Sequence, residues 1–207
     1  MATVFLLTGP PGVGKTTLLL QLLRALDVPA DGFFTAEIRE GDRRAGFAIE
    51  DLAGRRAVLA REAGAHDAGG PRVGRYRVDV GALEAVGVAA LERALEGTAL
   101  IAIDEVGKME ACSPRFRAAV ERALEAPGGV VVGTVLQGGH PWIDRVKAHP
   151  AVTLVRLAAA TRAATLEDLA GRVRAALVAA GHACGGGAAA PSSGGAAPRG
   201  GLPGGRP

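Results

Sequence analysis

A glycine-rich segment near the start of the chain carries the strongest chemical signal. It matches the pattern Gly-x-x-x-x-Gly-Lys-Thr and lies between an aliphatic run at residues 3–8 and a helical pattern of leucines. Glycines let such a loop wrap so that its N–H groups converge on phosphate oxygens, and the following helix adds the positive end of its dipole. The segment comprises Gly9, Pro10, Pro11, Gly12, Val13, Gly14, Lys15, Thr16 and Thr17.

Three side chains of this loop are assigned separate roles. We expect Lys15 to reach the β- and γ-phosphates, the Thr16 hydroxyl to ligate Mg²⁺, and Thr17 to contact the α-phosphate. The alternative is a glycine turn that only caps a helix, but the strand–loop–helix context favours phosphate binding. The loop therefore predicts a site for a nucleoside triphosphate with Mg²⁺.

The second group of candidate residues is a pair of consecutive carboxylates that directly follows the aliphatic run at residues 99–103. Successive strand residues point in opposite directions, so Asp104 and Glu105 can hold different roles. Asp104 is the expected Mg²⁺ partner through a water molecule, and Glu105 is then free to act as general base on the attacking water. An aliphatic run followed by Asp-Glu is common at strand ends, but together with the phosphate loop it indicates a Walker B segment.

Phosphoryl transfer also needs a cation near the β–γ bridging oxygen. Candidates are Lys108, just beyond the two carboxylates, and Arg145 and Lys147 on a short predicted helix, with Arg117 a weaker one. For each of them, a solvated surface charge is an equally good interpretation.

Two further side chains have two interpretations each. Thr134, at the end of a predicted strand, either orients the attacking water or γ-phosphate or is an ordinary β-branched strand residue. Trp142 either stacks on a base or anchors its helix against the sheet.

The amino-acid composition argues against a nucleic-acid-binding protein and a membrane protein. The net charge is +3 at pH 7, and Arg199 and Arg206 in the tail account for two of these charges. A body this close to neutral carries no basic footprint for nucleic acid, so no nucleic-acid partner is expected. The sequence offers no apolar stretch of the roughly 20 residues that a membrane span needs, and no signal-peptide pattern. We therefore expect a cytoplasmic protein with no membrane partner, and a monomer.

The elements that must position these residues form an α/β pattern. Aliphatic strands alternate with helices, which is typical of a mostly parallel sheet flanked by helices. Residues 32–39 and 43–51 predict an inserted β-hairpin around the Gly41-Asp42 turn, and residues 61–75 predict a surface loop. Ser113 and Pro114 are expected to begin one helix, and Thr165 with Asp168 to cap the last. The predicted domain spans residues 1–181, followed by a Gly/Ala/Pro-rich tail at 182–207 that we expect to be disordered.

Several motifs in this order resemble the cancer-related nucleoside-triphosphatase family. Besides the phosphate loop they are DGFFTAEIR at residues 31–39, RRAGF at 43–47, VGRYRVD at 73–79 and IDEVGKME at 103–110. The resemblance extends over about residues 3–180 and implies a P-loop NTPase fold. It also implies a soluble Mg²⁺-dependent enzyme that hydrolyses ATP, GTP, CTP and UTP. Nucleotide contacts are implied for the Walker B positions, here Ile103, Asp104, Glu105, Val106 and Gly107.

Two other function classes stay open at this stage. A nucleoside or nucleotide kinase would need an acceptor pocket and usually an arginine-rich lid, and residues 105–160 show no clear one. A nucleotide-dependent binding switch would bind tightly with negligible turnover. No Asn-Lys-x-Asp sequence for guanine is present. Hydrolysis is favoured because Glu105 directly follows Asp104.

Overall fold

A nine-stranded sheet forms the centre of the computed structural model, which describes residues 1–63 and 69–182. The strands are β1 (Thr3–Thr8), β2 (Ala30–Glu40), β3 (Arg43–Asp51), β4 (Arg56–Glu62), β5 (Arg72–Val73), β6 (Tyr76–Val78), β7 (Leu100–Val106), β8 (Val130–Val135) and β9 (Val152–Arg156). The helices are α1 (Lys15–Leu26), α2 (Val80–Ala82), α3 (Ala89–Leu95), α4 (Pro114–Glu125), α5 (Pro141–Lys147) and α6 (Arg162–Ala179). A π-helical segment, Leu83–Val88, joins α2 to α3.

The sheet has a parallel part and an antiparallel part. Its order is β5-β6-β4-β3-β2-β7-β8-β1-β9, and the five strands from β2 to β9 in this order are parallel. The antiparallel part begins within β2, because residues 30–33 pair with β7 while the rest of the strand continues into the hairpin with β3. The predicted α/β class with a parallel centre and a hairpin is confirmed.

Helices cover both faces of the sheet. On one face α1 and α6 pack together through buried leucines and valines, among them Leu22 and Val173. On the other face Phe33, Phe116 and Trp142 meet edge to face in the larger core cluster. The Trp142 indole N–H donates to Glu121 at 2.9 Å, so this tryptophan anchors α5 rather than facing the phosphate-loop edge.

The predicted surface loop at residues 61–75 is wrong at 61–62 and 72–73, which lie in strands, while residues 63, 69–71 and 74–75 lie outside strands and helices. β4 continues to Glu62 and pairs with β6, and β5 pairs with β6 from the other side. The sequence there is rich in Gly, Arg and Ala and shows no alternation, so its pattern does not predict strands. These strands form because they pair with their neighbours in the sheet. The rest of the predicted loop, residues 64–68, lies outside the described residues, as does nearly all of the predicted tail.

The predicted start of the last helix is also wrong. α6 begins at Arg162, and no side chain caps it. The Thr165 hydroxyl instead donates to the Thr161 carbonyl at 2.8 Å inside the helix. A 3₁₀ turn, Ala159–Thr161, leads into α6 and brings its first residue to the phosphate loop. The Ser113 cap of α4 is confirmed, since the Ser113 hydroxyl oxygen accepts from the Phe116 N–H at 3.1 Å.

Within the described ranges, no helix combines the length and the apolar character that crossing a membrane requires.

Candidate nucleotide-binding site

The carboxyl ends of β1, β7 and β8 meet at one edge of the sheet because these strands are parallel. The phosphate loop follows β1, Asp104 and Glu105 close β7, and Thr134 lies near the end of β8. The parallel topology therefore brings together three segments that are distant in the sequence.

The phosphate loop has the backbone that its glycines permit. Gly12 has φ +77° and Gly14 has φ +95°, and Gly14 precedes α1 without any side-chain cap. The first N–H groups of α1 are therefore free of a side-chain partner, as an anion site requires. The Lys15 ammonium donates to the Gly9 carbonyl at 3.3 Å, which keeps it over the loop.

Asp104 occupies the centre of the site with a fully buried carboxylate. Its Oδ2 accepts from the Thr16 hydroxyl at 2.9 Å and from the Thr35 N–H at 3.3 Å, and its Oδ1 accepts from the Thr134 hydroxyl at 2.5 Å. Burial raises the pKa of Asp104, and these three hydrogen bonds together with Lys15 counteract part of that rise. Thr134 therefore orients Asp104, a role that the sequence did not suggest.

Glu105 faces the phosphate loop from the end of β7. Its Oε1 lies 3.6 Å from the Lys15 ammonium. Burial raises the pKa of Glu105, the Lys15 charge lowers it in part, and the Asp104 charge raises it further. Carboxylates with raised pKa values in a cleft are suited to proton transfer.

These residues line a cleft of about 510 Å³. Its first wall is the phosphate loop and the end of β7, and its second wall is the β2–β3 hairpin with the segment after β8. The lining residues are Gly9, Pro11, Gly12, Lys15, Thr16, Asp104 and Glu105 in the first wall, and Thr35, Glu37, Arg44, Phe47, Leu136, Gln137 and Gly138 in the second.

The second wall contains residues to which the sequence gave no role. Arg44 forms an ion pair with Glu37 and lies over the Phe47 ring at 5.4 Å from its centroid. The hydrogen bond from Arg44 is the main cause that lowers the pKa of Glu37. The motifs DGFFTAEIR and RRAGF contain all three residues. Strand alternation alone would place Arg44 and Phe47 on opposite faces, but the register shifts between Ile38 and Arg39, so that Phe47 pairs with Glu37 and Arg44 with Arg39.

The structure does not bring the predicted cations into the cleft. Lys108 and Arg145 are exposed and do not line it. Lys147 donates to the Gly138 carbonyl at 2.8 Å and pairs with Asp144, so it fixes the segment after β8. Arg117 also lies outside the lining.

Other predicted contact residues separate into two groups. Ile103 and Val106 have core side chains, so only their backbone can face a ligand. Pro10 and Thr17 are exposed beside the cleft without lining it, as is the half-exposed Val13.

Two residues outside the cleft support it. Arg162 Nη2 donates to the Val13 carbonyl at 2.7 Å and so ties α6 to the phosphate loop. Glu110 is buried, and a methyl group built on Gly107 would lie 2.6 Å from Glu110 Oε2 and 3.1 Å from Glu105 Oε2. Burial raises the pKa of Glu110 to about 8, with smaller contributions from the Glu105 and Asp104 charges.

The donor set suits a cation that is shared with a ligand. No group of three or more His, Cys, Asp or Glu side chains able to hold a metal occurs in the part of the chain that the structure describes. Thr16 and Asp104 offer two oxygen donors 2.9 Å apart at the mouth of the phosphate loop. Mg²⁺ typically binds through one or two such groups plus phosphates and water, so the residues fit this ion.

Comparison with known proteins agrees with this geometry. The family model described as NTPase matches residues 4–170. Nucleoside-triphosphatase THEP1 of Thermotoga maritima is 41% identical over 165 residues, which are 79% of this chain and 91% of that protein. The human cancer-related nucleoside-triphosphatase is 42% identical over 145 residues, 65% of this chain and 76% of that protein.

Solved structures give the same result. The crystal structure of THEP1 from the hyperthermophile Aquifex aeolicus superposes with a TM-score of 0.73 at 31% identity, covering 84% of this chain and 99% of that one. The solution structure of a human cancer-related nucleoside triphosphatase has a TM-score of 0.70 at 35% identity, covering 84% and 98%. The resemblance seen in the motifs is thereby confirmed, and the chain belongs to the nucleoside-triphosphatase family that includes THEP1.

Proposed function

We propose that this chain is a Mg²⁺-dependent phosphohydrolase that converts nucleoside triphosphates of any common base to the diphosphate and phosphate. One observation carries the proposal: Asp104 bonds to Thr16 while the adjacent Glu105 faces Lys15, both at the phosphate loop. Metal binding and proton transfer are thus assigned to separate carboxylates. The relatives named above are themselves nucleoside-triphosphatases.

Thr16 and Asp104 are the residues that would hold Mg²⁺ together with phosphate oxygens and water. The ion supplies neutralisation of negative charge on the phosphates. Lys15 and the free N–H groups of the loop add to this neutralisation from the chain itself. Thr35 and Thr134 keep the Asp104 carboxylate in one orientation.

Glu105 accepts the proton of the attacking water. The water oxygen forms a bond to the γ-phosphorus, its proton passes to the Glu105 carboxylate, and the bond to the β–γ bridging oxygen breaks. The electron pair of that bond leaves on the nucleoside diphosphate. The raised pKa of Glu105 strengthens the carboxylate as a base, because its basicity moves toward the working pH.

Broad base specificity is expected because the site contacts the phosphates of the nucleotide and not its base. Lys15 and the loop backbone contact phosphates, which all nucleoside triphosphates share. Trp142, the side chain that the sequence suggested for base stacking, is buried in the core. We therefore expect similar kcat/KM values for ATP, GTP, CTP and UTP, all lost when Mg²⁺ is removed with EDTA.

The decisive variant is Glu105→Gln, which keeps the shape of the side chain but removes the base. We expect phosphate release to fall by about 100-fold to 10,000-fold, while nucleotide binding is retained. The matched control is Glu167→Gln, since Glu167 is exposed on α6 outside the cleft. Hydrolysis by Glu105→Gln at the rate of this control would contradict the base assignment.

Alternative acceptors separate hydrolysis from the other classes. Steady-state kinetics with and without candidate nucleoside and nucleotide acceptors should show all phosphate reaching water. Transfer to an acceptor would indicate a kinase, and tight binding with negligible turnover would indicate a switch. The cytoplasmic location, the monomeric state and the domain limit at residue 181 stay predictions.

A further inference from the structure

The β2–β3 hairpin fixes the second wall of the cleft to the metal carboxylate. The Thr35 N–H in β2 donates to Asp104 Oδ2 at 3.3 Å, close to the Thr16 hydroxyl on the same oxygen. The cleft-lining side chains of the hairpin therefore lie on the side where the terminal phosphate projects from the loop. Arg44, Glu37 and Phe47 are those side chains.

Only part of the hydrogen-bonding capacity of the Arg44 guanidinium is used in this structure. Its Nη2 binds Glu37, while its Nε is shielded from solvent and has no hydrogen-bond partner. The side chain is 37% exposed. A guanidinium has five N–H donors in a planar fork, and Arg44 also interacts with Tyr76, so part of its capacity is free for a second anion.

Phe47 orients this guanidinium. The Arg44 Cζ lies 5.4 Å from the ring centroid, a cation–π distance, and the ring forms part of the cleft lining. An aromatic face on one side leaves the edge of the fork open for in-plane hydrogen bonds. Two parallel bonds to phosphate oxygens are the geometry for which arginine is best suited.

Charge balance points to the same residue. Among the described residues that line the cleft, Lys15 and Arg44 carry the positive charges, and each faces one glutamate. Lys15 belongs to the phosphate loop itself. Lys108 and Arg145 do not reach the cleft, so the second wall offers Arg44 as the cation opposite the loop.

We propose that Arg44 is a further catalytic residue: its guanidinium exchanges Glu37 for the γ-phosphate and stabilises the negative charge that develops there during transfer. The proposal rests on the proposed function. It identifies Arg44 as the cation near the β–γ bridging oxygen, the role for which Lys108 and Arg145 were among the predicted candidates. It also assigns Glu37 to holding the guanidinium in place before nucleotide binds.

The test uses the full chain with Arg44→Ala and Arg44→Lys, and Arg43→Ala as matched control. Arg43 is the exposed neighbour, which pairs with Glu40 and Glu62 outside the cleft. We expect Arg44→Ala to lose about 100-fold to 1,000-fold in kcat with a smaller rise in KM, as for loss of a transition-state donor. Arg44→Lys should recover only part of the rate because an ammonium cannot bind two oxygens in one plane.

Two readouts separate a catalytic from a merely structural Arg44. Millimolar guanidinium chloride should partly restore hydrolysis by Arg44→Ala and leave Arg43→Ala unchanged. The ratio of affinities for a non-hydrolysable triphosphate and a diphosphate should fall in Arg44→Ala by up to about tenfold, since charged hydrogen bonds to the γ-phosphate are lost.

The outcomes distinguish the two proposals. If the wild-type chain does not hydrolyse nucleotides, the proposed function fails, and the affinity ratio still decides whether Arg44 contacts the γ-phosphate. If Arg44→Ala keeps the kcat and the affinity ratio of Arg43→Ala, this inference is overturned. A slow Arg44→Ala enzyme with an unchanged ratio and no guanidinium rescue overturns it as well.

Discussion

The two walls of the cleft are built on different principles. The phosphate loop consists of nine consecutive residues, and Asp104 and Glu105 from the end of β7 complete its wall. The hairpin wall uses side chains from two strands, and Arg44, Glu37 and Phe47 all line the cleft. Arg44 and Phe47 share a face because the register of β2 and β3 shifts between Ile38 and Arg39. The phosphate loop itself is thus local in sequence, whereas Asp104 and Glu105 join it, and the second wall forms, only once the sheet has formed.

This difference separates the expected consequences of mutation. We expect loss of the loop wall to weaken nucleotide binding, because the proposed phosphate contacts come from the loop backbone and Lys15. Changes in the hairpin wall should alter binding by about tenfold or less, and loss of Arg44 should act mainly on the rate.

The largest effect is expected for Lys15→Ala in the loop wall. The Lys15 ammonium lies over the Gly9 carbonyl and faces Glu105, so its removal leaves the β- and γ-phosphates without their nearest cation. We expect kcat/KM to fall by about 1,000-fold. Isothermal titration with a non-hydrolysable triphosphate should show weakened binding, in contrast to Arg44→Ala. Equal binding losses in the two variants would remove the distinction between the walls.

Because of the buried Glu110, we expect the stability of the chain to depend on pH. Its pKa is about 8 in the folded chain and near 4.5 when unfolded, so folding takes up a proton between these values. The free energy of unfolding of the wild type should therefore decrease from pH 4.5 to 8, by at most about 1.4 kcal/mol per pH unit from this group. Glu110→Gln mimics the protonated form and should lack that component.

Urea unfolding of both proteins across this pH range measures the difference. The advantage of Glu110→Gln over the wild type should grow with pH and become constant above about 8. Glu167→Gln serves as control because Glu167 is exposed. A constant difference between Glu110→Gln and the wild type would show that the buried carboxyl is not protonated on folding.

Gly14→Ala tests the backbone of the loop wall. Gly14 has φ +95°, and a Cβ there would lie 2.7 Å from Arg162 Nη2. We expect destabilisation of about 1–3 kcal/mol together with weaker nucleotide binding. Gly171→Ala in α6 is the matched control, since a Cβ there meets nothing within 4 Å and should stabilise the helix by about 0.5–1 kcal/mol. Thermal unfolding of the two variants should move in opposite directions.

The smallest effect is expected for Glu37→Gln in the hairpin wall. Its carboxylate competes with phosphate for Arg44, but both side chains are 37% exposed, and such pairs contribute about 0–1 kcal/mol. Triphosphate binding should therefore tighten by at most about fivefold with little change in kcat. Weaker binding in this variant would mean that Glu37 positions Arg44 for the ligand instead of competing with it.

Much of the first wall was predictable from sequence. The phosphate loop, Asp104 and Glu105 lie where their strand-and-turn patterns indicate, because these patterns act through local backbone geometry. The cations were not predictable. Lys108 lies in a motif and Arg145 on α5, but both are exposed and do not line the cleft, whereas Arg44 reaches it from a strand that pairs antiparallel with β2.

By itself the sequence determined the parallel α/β centre, the phosphate loop and the two carboxylates, because each is encoded in a short run of residues. Only the tertiary structure decided that Thr134 and Thr35 orient Asp104, that Arg162 holds the loop, and that the hairpin closes the cleft. Those contacts join residues far apart in the chain. They depend on strand order and register, which the sheet sets as a whole and no single segment contains.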